Sequence, residues 1–135
     1  MTRRALWLIP LAVCMAAEPS QEVIELFAGM AASLSAGNAR EFLGAFDKAM
    51  PGYSKLREDV TALAAAGYIE SFVDVVSEEG DAQKRTVEVN WRIRVKRAAE
   101  ATASAPREAR FTCKLEKQGK KWKIVSINPP AFFAP

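Results

Sequence analysis

Residues 84–97, which read Lys-Arg-Thr-Val-Glu-Val-Asn-Trp-Arg-Ile-Arg-Val-Lys-Arg, decide the fold. Apolar side chains occupy alternate positions here, and polar or charged side chains stand between them. Because successive side chains of a strand point to opposite faces, this period of two predicts a strand with one buried and one solvent-facing side. Such a strand is typical of an antiparallel sheet that is covered on one face. The apolar positions are Val87, Val89, Trp91, Ile93 and Val95.

Residues 68–78, 108–117 and 122–127 show the same alternation and predict three further strands. Turns are expected at Glu79-Gly80-Asp81 and at Gln118-Gly119-Lys120, and residues 98–106 are expected to form a connection. The C-terminal tail from Ala131 is too apolar to remain in solvent, so we expect it to fold back onto the body. The inward positions predicted for the first two of these strands are Ile69, Val73, Val75, Ala109, Phe111, Cys113 and Leu115.

Three amphipathic helices are predicted ahead of the strands. Ser20, Asn38 and Ser54 are the expected N-caps, because short polar side chains can accept the free backbone N–H groups of a first turn. Gly37 and Gly67 are the expected stops of the first and third helix. Three helices followed by four antiparallel strands make an α+β fold, in which a curved sheet packs its apolar face on the helices. The apolar helix positions are Val23, Ile24, Phe27, Met30, Ala31, Leu34, Phe42, Leu43, Phe46, Leu56, Val60 and Leu63.

Residues 1–17 have the pattern of a secretory signal peptide, so residues 18–135 are expected to form the mature domain. Arg3 and Arg4 precede a short apolar run that ends in small residues, and cleavage is expected after Ala16 or Ala17. A lipoprotein leader is the second interpretation, because Leu11-Ala-Val-Cys14 approaches a lipobox, although Val13 departs from it. The third interpretation is a buried helix of a protein that is not exported.

Bulk charge indicates neither nucleic acid nor a membrane surface as a partner. The chain has 19 basic and 16 acidic residues, and Arg3 and Arg4 lie in the leader. Residues 18–135 therefore keep 17 basic residues against 16 acidic ones, a formal charge of +1. The chain contains no histidine and only two cysteines, Cys14 and Cys113. These counts favour no metal site, no cofactor and no structural disulfide.

Several stretches make the chain resemble the nuclear transport factor 2-like superfamily, which includes the SnoaL-like proteins. They are Glu41-Phe-Leu-Gly-Ala-Phe-Asp47, Met50-Pro-Gly-Tyr53, Thr86-Val-Glu-Val-Asn-Trp91 and Gly119-Lys-Lys-Trp-Lys-Ile-Val-Ser-Ile-Asn128. The resemblance covers about residues 20–130 and implies a cystatin-like cone with a pocket between sheet and helices. Some members are isomerases, cyclases or dehydratases and others only bind or dimerise, so the fold does not settle function.

Asp47 and Tyr53 are the candidate catalytic residues, because they flank the expected mouth of the pocket. A carboxylate in an apolar cleft can have a raised pKa, and a phenol can donate a hydrogen bond to an oxyanion. The competing interpretation is a loop carboxylate that caps a turn beside a packed tyrosine, and it is favoured. The candidate pocket-lining residues, which the core would also explain, are Phe46, Trp91, Phe111 and Trp122.

Charged residues on the strands carry two further hypotheses. Glu70 and Asp74 lie on one face of the first strand and form either an acid pair or solvent-facing partners of nearby bases. A basic face could dock an anionic partner, or it could simply be solvated between Glu88 and Glu116. Its residues are Arg92, Arg94, Lys96, Arg110 and Lys114.

Together these patterns favour an exported, non-catalytic ligand-binding or interaction domain that forms a homodimer through its sheet. The first alternative is a small pocket enzyme that acts on an apolar ligand with Asp47 and Tyr53. The second is an envelope domain that docks an anionic partner on the basic face. A membrane is expected as a partner only if Cys14 carries a lipid.

Overall fold

The computed structural model describes residues 18–96 and 105–135 and shows three helices packed on a curved, unclosed sheet of four antiparallel strands. The predicted leader and most of the predicted 98–106 connection lie outside the described residues. The helices are α1 (Gln21–Ser35), α2 (Ala39–Leu43) and α3 (Tyr53–Ala66). The strands follow in spatial order as β1 (Tyr68–Gly80), β2 (Lys84–Lys96), β3 (Arg107–Gln118) and β4 (Lys121–Asn128), and a 3-10 helix covers Pro130–Phe133.

The alternation in β2 is confirmed. All five predicted inward side chains are buried, and Trp91 is fully enclosed. Each side chain between them is exposed or half-buried. Burying a large apolar side chain contributes about 1.5–3 kcal/mol, so this face of β2 favours one register strongly.

Two of the three predicted N-caps are confirmed and one is wrong. The side chain of Ser20 accepts from the Val23 N–H, and that of Asn38 accepts from the Glu41 N–H. Ser54 is exposed within the first turn of α3, whose N-cap is Gly52 with φ 82°. The sharp turn after Pro51 needs this left-handed conformation, and glycine supplies it at little steric cost.

The first strand departs from its predicted pattern. Ser71 is buried beside Ile69, whereas Val73 and Val75 are only half-buried. The pairing with β2 shifts between Val75 and Ser77, so an extra residue turns the end of β1 by one position. Glu78 thereby points to the buried side, although simple alternation does not place it there.

Two further segments complete the core. Residues 45–47 run beside the free edge of β4, where the Asp47 N–H donates to the Ile124 carbonyl and the Ile124 N–H donates to the Ala45 carbonyl, each at 2.9 Å. The C-terminal tail folds back as predicted and buries Phe133. Arg107 holds it by donating to the carbonyls of Phe132 and Ala134. The prediction that Ile24 belongs to the buried stripe of α1 is wrong, because this side chain is 39% exposed.

Candidate functional site

The interior between helices and sheet is filled by aromatic side chains around Trp91. Four rings meet its indole edge-on, with centroid distances of 5.3 to 6.1 Å. The indole N–H donates to the Ser71 hydroxyl at 2.9 Å, so its one polar atom is satisfied inside the core. Trp91 and Phe111 therefore serve as core residues here. The four surrounding rings are Phe27, Phe42, Phe111 and Phe133.

The other two candidate pocket residues lie at the edge of this core. Phe46 is buried but lines a cleft beside α2, and Trp122 is buried and lines a second cleft beside α1. The guanidinium carbon of Arg85 lies 4.4 Å from the Trp122 ring centre, and the Lys117 ammonium lies 5.0 Å from it. Both cations thus stack on this indole. Among described groups the Trp122 Nε1 has no hydrogen-bond partner.

Asp47 is held as an ionised carboxylate on a turn. Its Oδ1 accepts from the Ala49 N–H at 2.9 Å, and its Oδ2 accepts from the Gln118 amide at 2.9 Å. The hydrogen bond from Ala49, then that from Gln118, lowers the pKa of Asp47 below 3.8, and the Lys123 charge also lowers it. A general acid needs a pKa shift in the opposite direction.

Asp47 and Tyr53 line one cleft of about 860 Å³. The Tyr53 N–H donates to the Met50 carbonyl, and its half-buried ring packs against the core. The turn between Met50 and Tyr53 thus brings the phenol to the same cleft wall as the carboxylate. Leu43 and Phe46 give the cleft an apolar floor. The cleft also collects four cations, which are Arg40, Lys48, Arg57 and Lys123.

The side of the sheet turned away from the helices, called here the outer face, carries charges of both signs. Glu70 and Asp74 are exposed on β1 opposite Arg94 and Asn90 of β2. On β3, Arg110 donates to Asn90 and to Glu88. The predicted basic residues of this face are all exposed. Tyr68 and Phe72 stand among them with 65% and 59% of their surfaces exposed.

A buried polar cluster joins the start of α1 to the sheet, and the sequence did not indicate it. Glu78 accepts from the Arg85 guanidinium, from the Ser20 hydroxyl and from the Ser20 N–H. The extra residue in β1 turns Glu78 inward, and the stretch Val75-Val-Ser77 has no glycine to mark the bulge. The approach of Arg85 to Ser20 is likewise set by packing.

Cys113 is buried in the core, and burial raises its pKa to about 12. A buried thiol whose pKa is raised in this way is a poor nucleophile at neutral pH. In residues 18–96 and 105–135, no three acidic or cysteine side chains come together as a metal site would require. Within the same residues no helix is both long and apolar enough to cross a membrane.

Neither the protein-family models nor the curated proteins contain a match to this sequence. Solved structures do match the fold. An NTF-2-like protein of unknown function from Shewanella oneidensis MR-1 is 13% identical, with a TM-score of 0.62 over 82% of this chain and 97% of that one. A cystatin-like protein of unknown function from Nostoc punctiforme is 16% identical, with a TM-score of 0.58 over 80% and 90%.

A third match is a Novosphingobium aromaticivorans protein that is provisionally named a scytalone dehydratase. It is 10% identical, with a TM-score of 0.66 over 79% of each chain. Identities this low establish the fold and leave chemistry open. The order of elements, the curved open sheet and these matches agree on one conclusion. The chain has the nuclear transport factor 2-like, cystatin-like α+β fold.

Proposed function

We propose that this protein is an exported, non-catalytic interaction module that works as a homodimer through its outer face. The observation that carries this proposal is the contrast between a packed interior and two exposed aromatic side chains on the outer face. Aromatic side chains are enriched in protein–protein interfaces relative to the rest of a protein surface. Tyr68 and Phe72 are such side chains, and Val76 lies further along β1 with 38% of its surface exposed.

The charges of the outer face favour a second copy of this chain as the partner. Acidic Glu70 and Asp74 lie on β1, and basic Arg92 and Arg94 lie on the neighbouring β2. In a two-fold interface the same patch meets itself, so residue i of one copy contacts residue j of the other and the reverse. Such an arrangement places the acidic row of one copy over the basic row of the other. The aromatic side chains would then be covered at the centre.

Sedimentation velocity over a range of concentrations tests the dimer. We expect a dimer for the wild type and a shift to monomer for Phe72→Asp, because a charge at the centre of an apolar contact is strongly unfavourable. Ile24→Asp is the matched control, since Ile24 is an exposed apolar side chain of α1. It should leave the dimer intact. A wild type that stays monomeric, or a Phe72→Asp variant that stays dimeric, would contradict the proposal.

The second candidate function is a small pocket enzyme in which Asp47 and Tyr53 act on an apolar ligand. Its supporting observation is that both residues line one cleft with an apolar floor. The lowered pKa of Asp47 argues against a role as general acid. This function would be favoured over the interaction module if the wild type converted an apolar ligand and a folded Asp47→Asn variant did not.

Export rests on the leader pattern and is tested by mass spectrometry of the protein recovered from its native cell. We expect a chain that begins at Ala17 or Glu18. A chain that begins at Cys14 with an added acyl mass would instead establish a lipid anchor. An intact residue 1 in the mature protein would contradict export through this leader.

A further inference from the structure

The cleft beside α2 holds more positive charge than a solvated surface of this chain would average. Arg40, Lys48, Arg57 and Lys123 line it, and Asp47 is the one acidic residue among the lining residues described. Residues 18–135 carry a formal charge near +1 as a whole, whereas these five groups sum to +3. The excess is therefore local to the cleft.

Among the described lining residues of the cleft, one carboxylate stands against four cations. Among the ion pairs of residues 18–96 and 105–135, none includes any of the four cationic side chains. Asp47 keeps its negative charge and acts on Lys123, but its two oxygens accept from the neutral Ala49 N–H and the neutral Gln118 amide. Lys123 donates to the Gly44 carbonyl, which fixes its ammonium at the cleft wall. The cleft is thus electropositive by construction, and a bound anion would meet several donors at once.

Helical spacing arranges the donors on one wall. Tyr53, Arg57 and Thr61 recur every four residues along α3, so they form one row on that helix. The row presents a phenol, a guanidinium and a hydroxyl, and Arg40 joins it from α2. A guanidinium can grip a carboxylate or phosphate with two parallel hydrogen bonds, and the hydroxyl groups can donate to remaining oxygens.

The floor of the cleft is apolar. Leu43 and Phe46 are both buried apolar side chains, and both line the cleft. Binding sites for small molecules commonly combine an apolar lining with a few convergent polar groups, within volumes of roughly 300–1,000 Å³. This cleft of about 860 Å³ fits that description.

We propose that the α2–α3 cleft binds a small organic anion, an apolar body that carries a carboxylate or phosphate headgroup. The headgroup lies against Arg40 and Arg57, and the apolar body lies on Leu43 and Phe46. The described walls come from α2, residues 46–48, α3 and the β3–β4 hairpin. They do not include Tyr68 or Phe72, so this site goes beyond the dimer proposed above and does not depend on it.

The site is tested by titrating octanoate into the protein expressed from the full-length sequence. The NMR chemical shifts of the Leu43, Phe46 and Tyr53 amides report the binding. Octanoate should bind about tenfold more tightly than octanol or octylamine, because only its headgroup meets the guanidinium groups. Octyl phosphate is the second anionic probe, and a preference for it would equally support the site and assign the headgroup. Acetate alone should bind more weakly than octanoate, since it lacks the apolar body.

Matched variants make the test specific. The double variant Arg40→Gln/Arg57→Gln should weaken octanoate binding about tenfold or more, and rising salt should weaken it in the wild type. Lys96→Gln removes one exposed charge at the far end of β2 and should leave the affinity unchanged. Phe72→Asp should also leave it unchanged, which separates this site from the dimer. The proposal would be overturned if octanol bound as tightly as octanoate, or if the double variant bound octanoate as tightly as the wild type.

Discussion

The Glu78 carboxylate and the Arg85 guanidinium form an ion pair whose acidic partner is only 6% exposed. Both groups also hydrogen-bond the side chain of Ser20, the N-cap of α1. This ion pair between β1 and β2 therefore also holds the start of α1 against the sheet. A buried carboxylate is stable only with such partners, because desolvation of an unpaired charge costs several kcal/mol.

The first prediction concerns this pair. Glu78→Ala should lower the free energy of unfolding by about 3 kcal/mol, because it leaves the partly buried Arg85 unpaired and removes an anchor of α1. Arg110→Ala is the control, since its pair with Glu88 is exposed and should contribute about 0–1 kcal/mol. Urea denaturation measures both. Equal stability losses in the two variants would refute the special role of the buried pair.

The second prediction concerns the hydrogen bond between Trp91 and Ser71. Ser71→Ala should cost about 1–3 kcal/mol of unfolding free energy, because it leaves the buried indole N–H without an acceptor. Ser54→Ala should be nearly neutral, since Ser54 is exposed and caps nothing. Thermal unfolding followed by tryptophan fluorescence compares them. A larger loss in Ser54→Ala would restore Ser54 as the cap of α3.

The third prediction concerns the protonation of Asp47. NMR titration of its carboxyl should give a pKa below 3.8, and Gln118→Ala should raise that pKa by removing a hydrogen bond to the charged form. Because the pKa is lowered in the folded chain, the stabilising effect is present above pH 3.8 and is lost as pH falls through the folded pKa. Asp47→Asn should remove this pH dependence and keep the fold. A measured pKa well above 3.8 would instead support the enzyme hypothesis.

The fourth prediction concerns Cys113. In a Cys14→Ser background, Cys113 should not react with a thiol reagent at neutral pH until the protein unfolds, because its pKa is about 12. The raised pKa of Cys113 also makes the free energy of unfolding depend on pH. The folded thiol stays protonated while the unfolded one ionises, so stability falls as pH rises above 9.0. Cys113→Ala should lack this component, and fast labelling of native protein would contradict the account.

Strands and most caps could be predicted because their signals are local. The alternation in residues 84–96 and the side chains of Ser20 and Asn38 act over a few positions, and the structure confirms them. The third cap failed because two turn signals compete at Pro51-Gly52 and Ser54. Gly52, in the left-handed conformation, is the N-cap of α3 and lies two residues before the predicted cap Ser54.

The features that sequence could not predict depend on contacts between distant segments. The inward turn of Glu78 follows from a one-residue bulge, and the pairing of Ser71 with Trp91 joins positions 20 residues apart. The candidate site shows the same division. Asp47 and Tyr53 line one cleft, and Arg40 and Arg57 lie along the same cleft because α2 and α3 pack side by side.

We infer that the outer face, and not the packed interior, makes the contact on which the proposed dimer depends. A soluble paramagnetic reagent tests it directly, because it broadens the NMR signals of protons that it can approach. As protein concentration rises, the ring protons of Phe72 and Tyr68 should become protected while the exposed Ile24 methyl stays broadened, with Trp91 protected throughout. Equal broadening of the Phe72 ring signals and the Ile24 methyl signal at every protein concentration would contradict this inference.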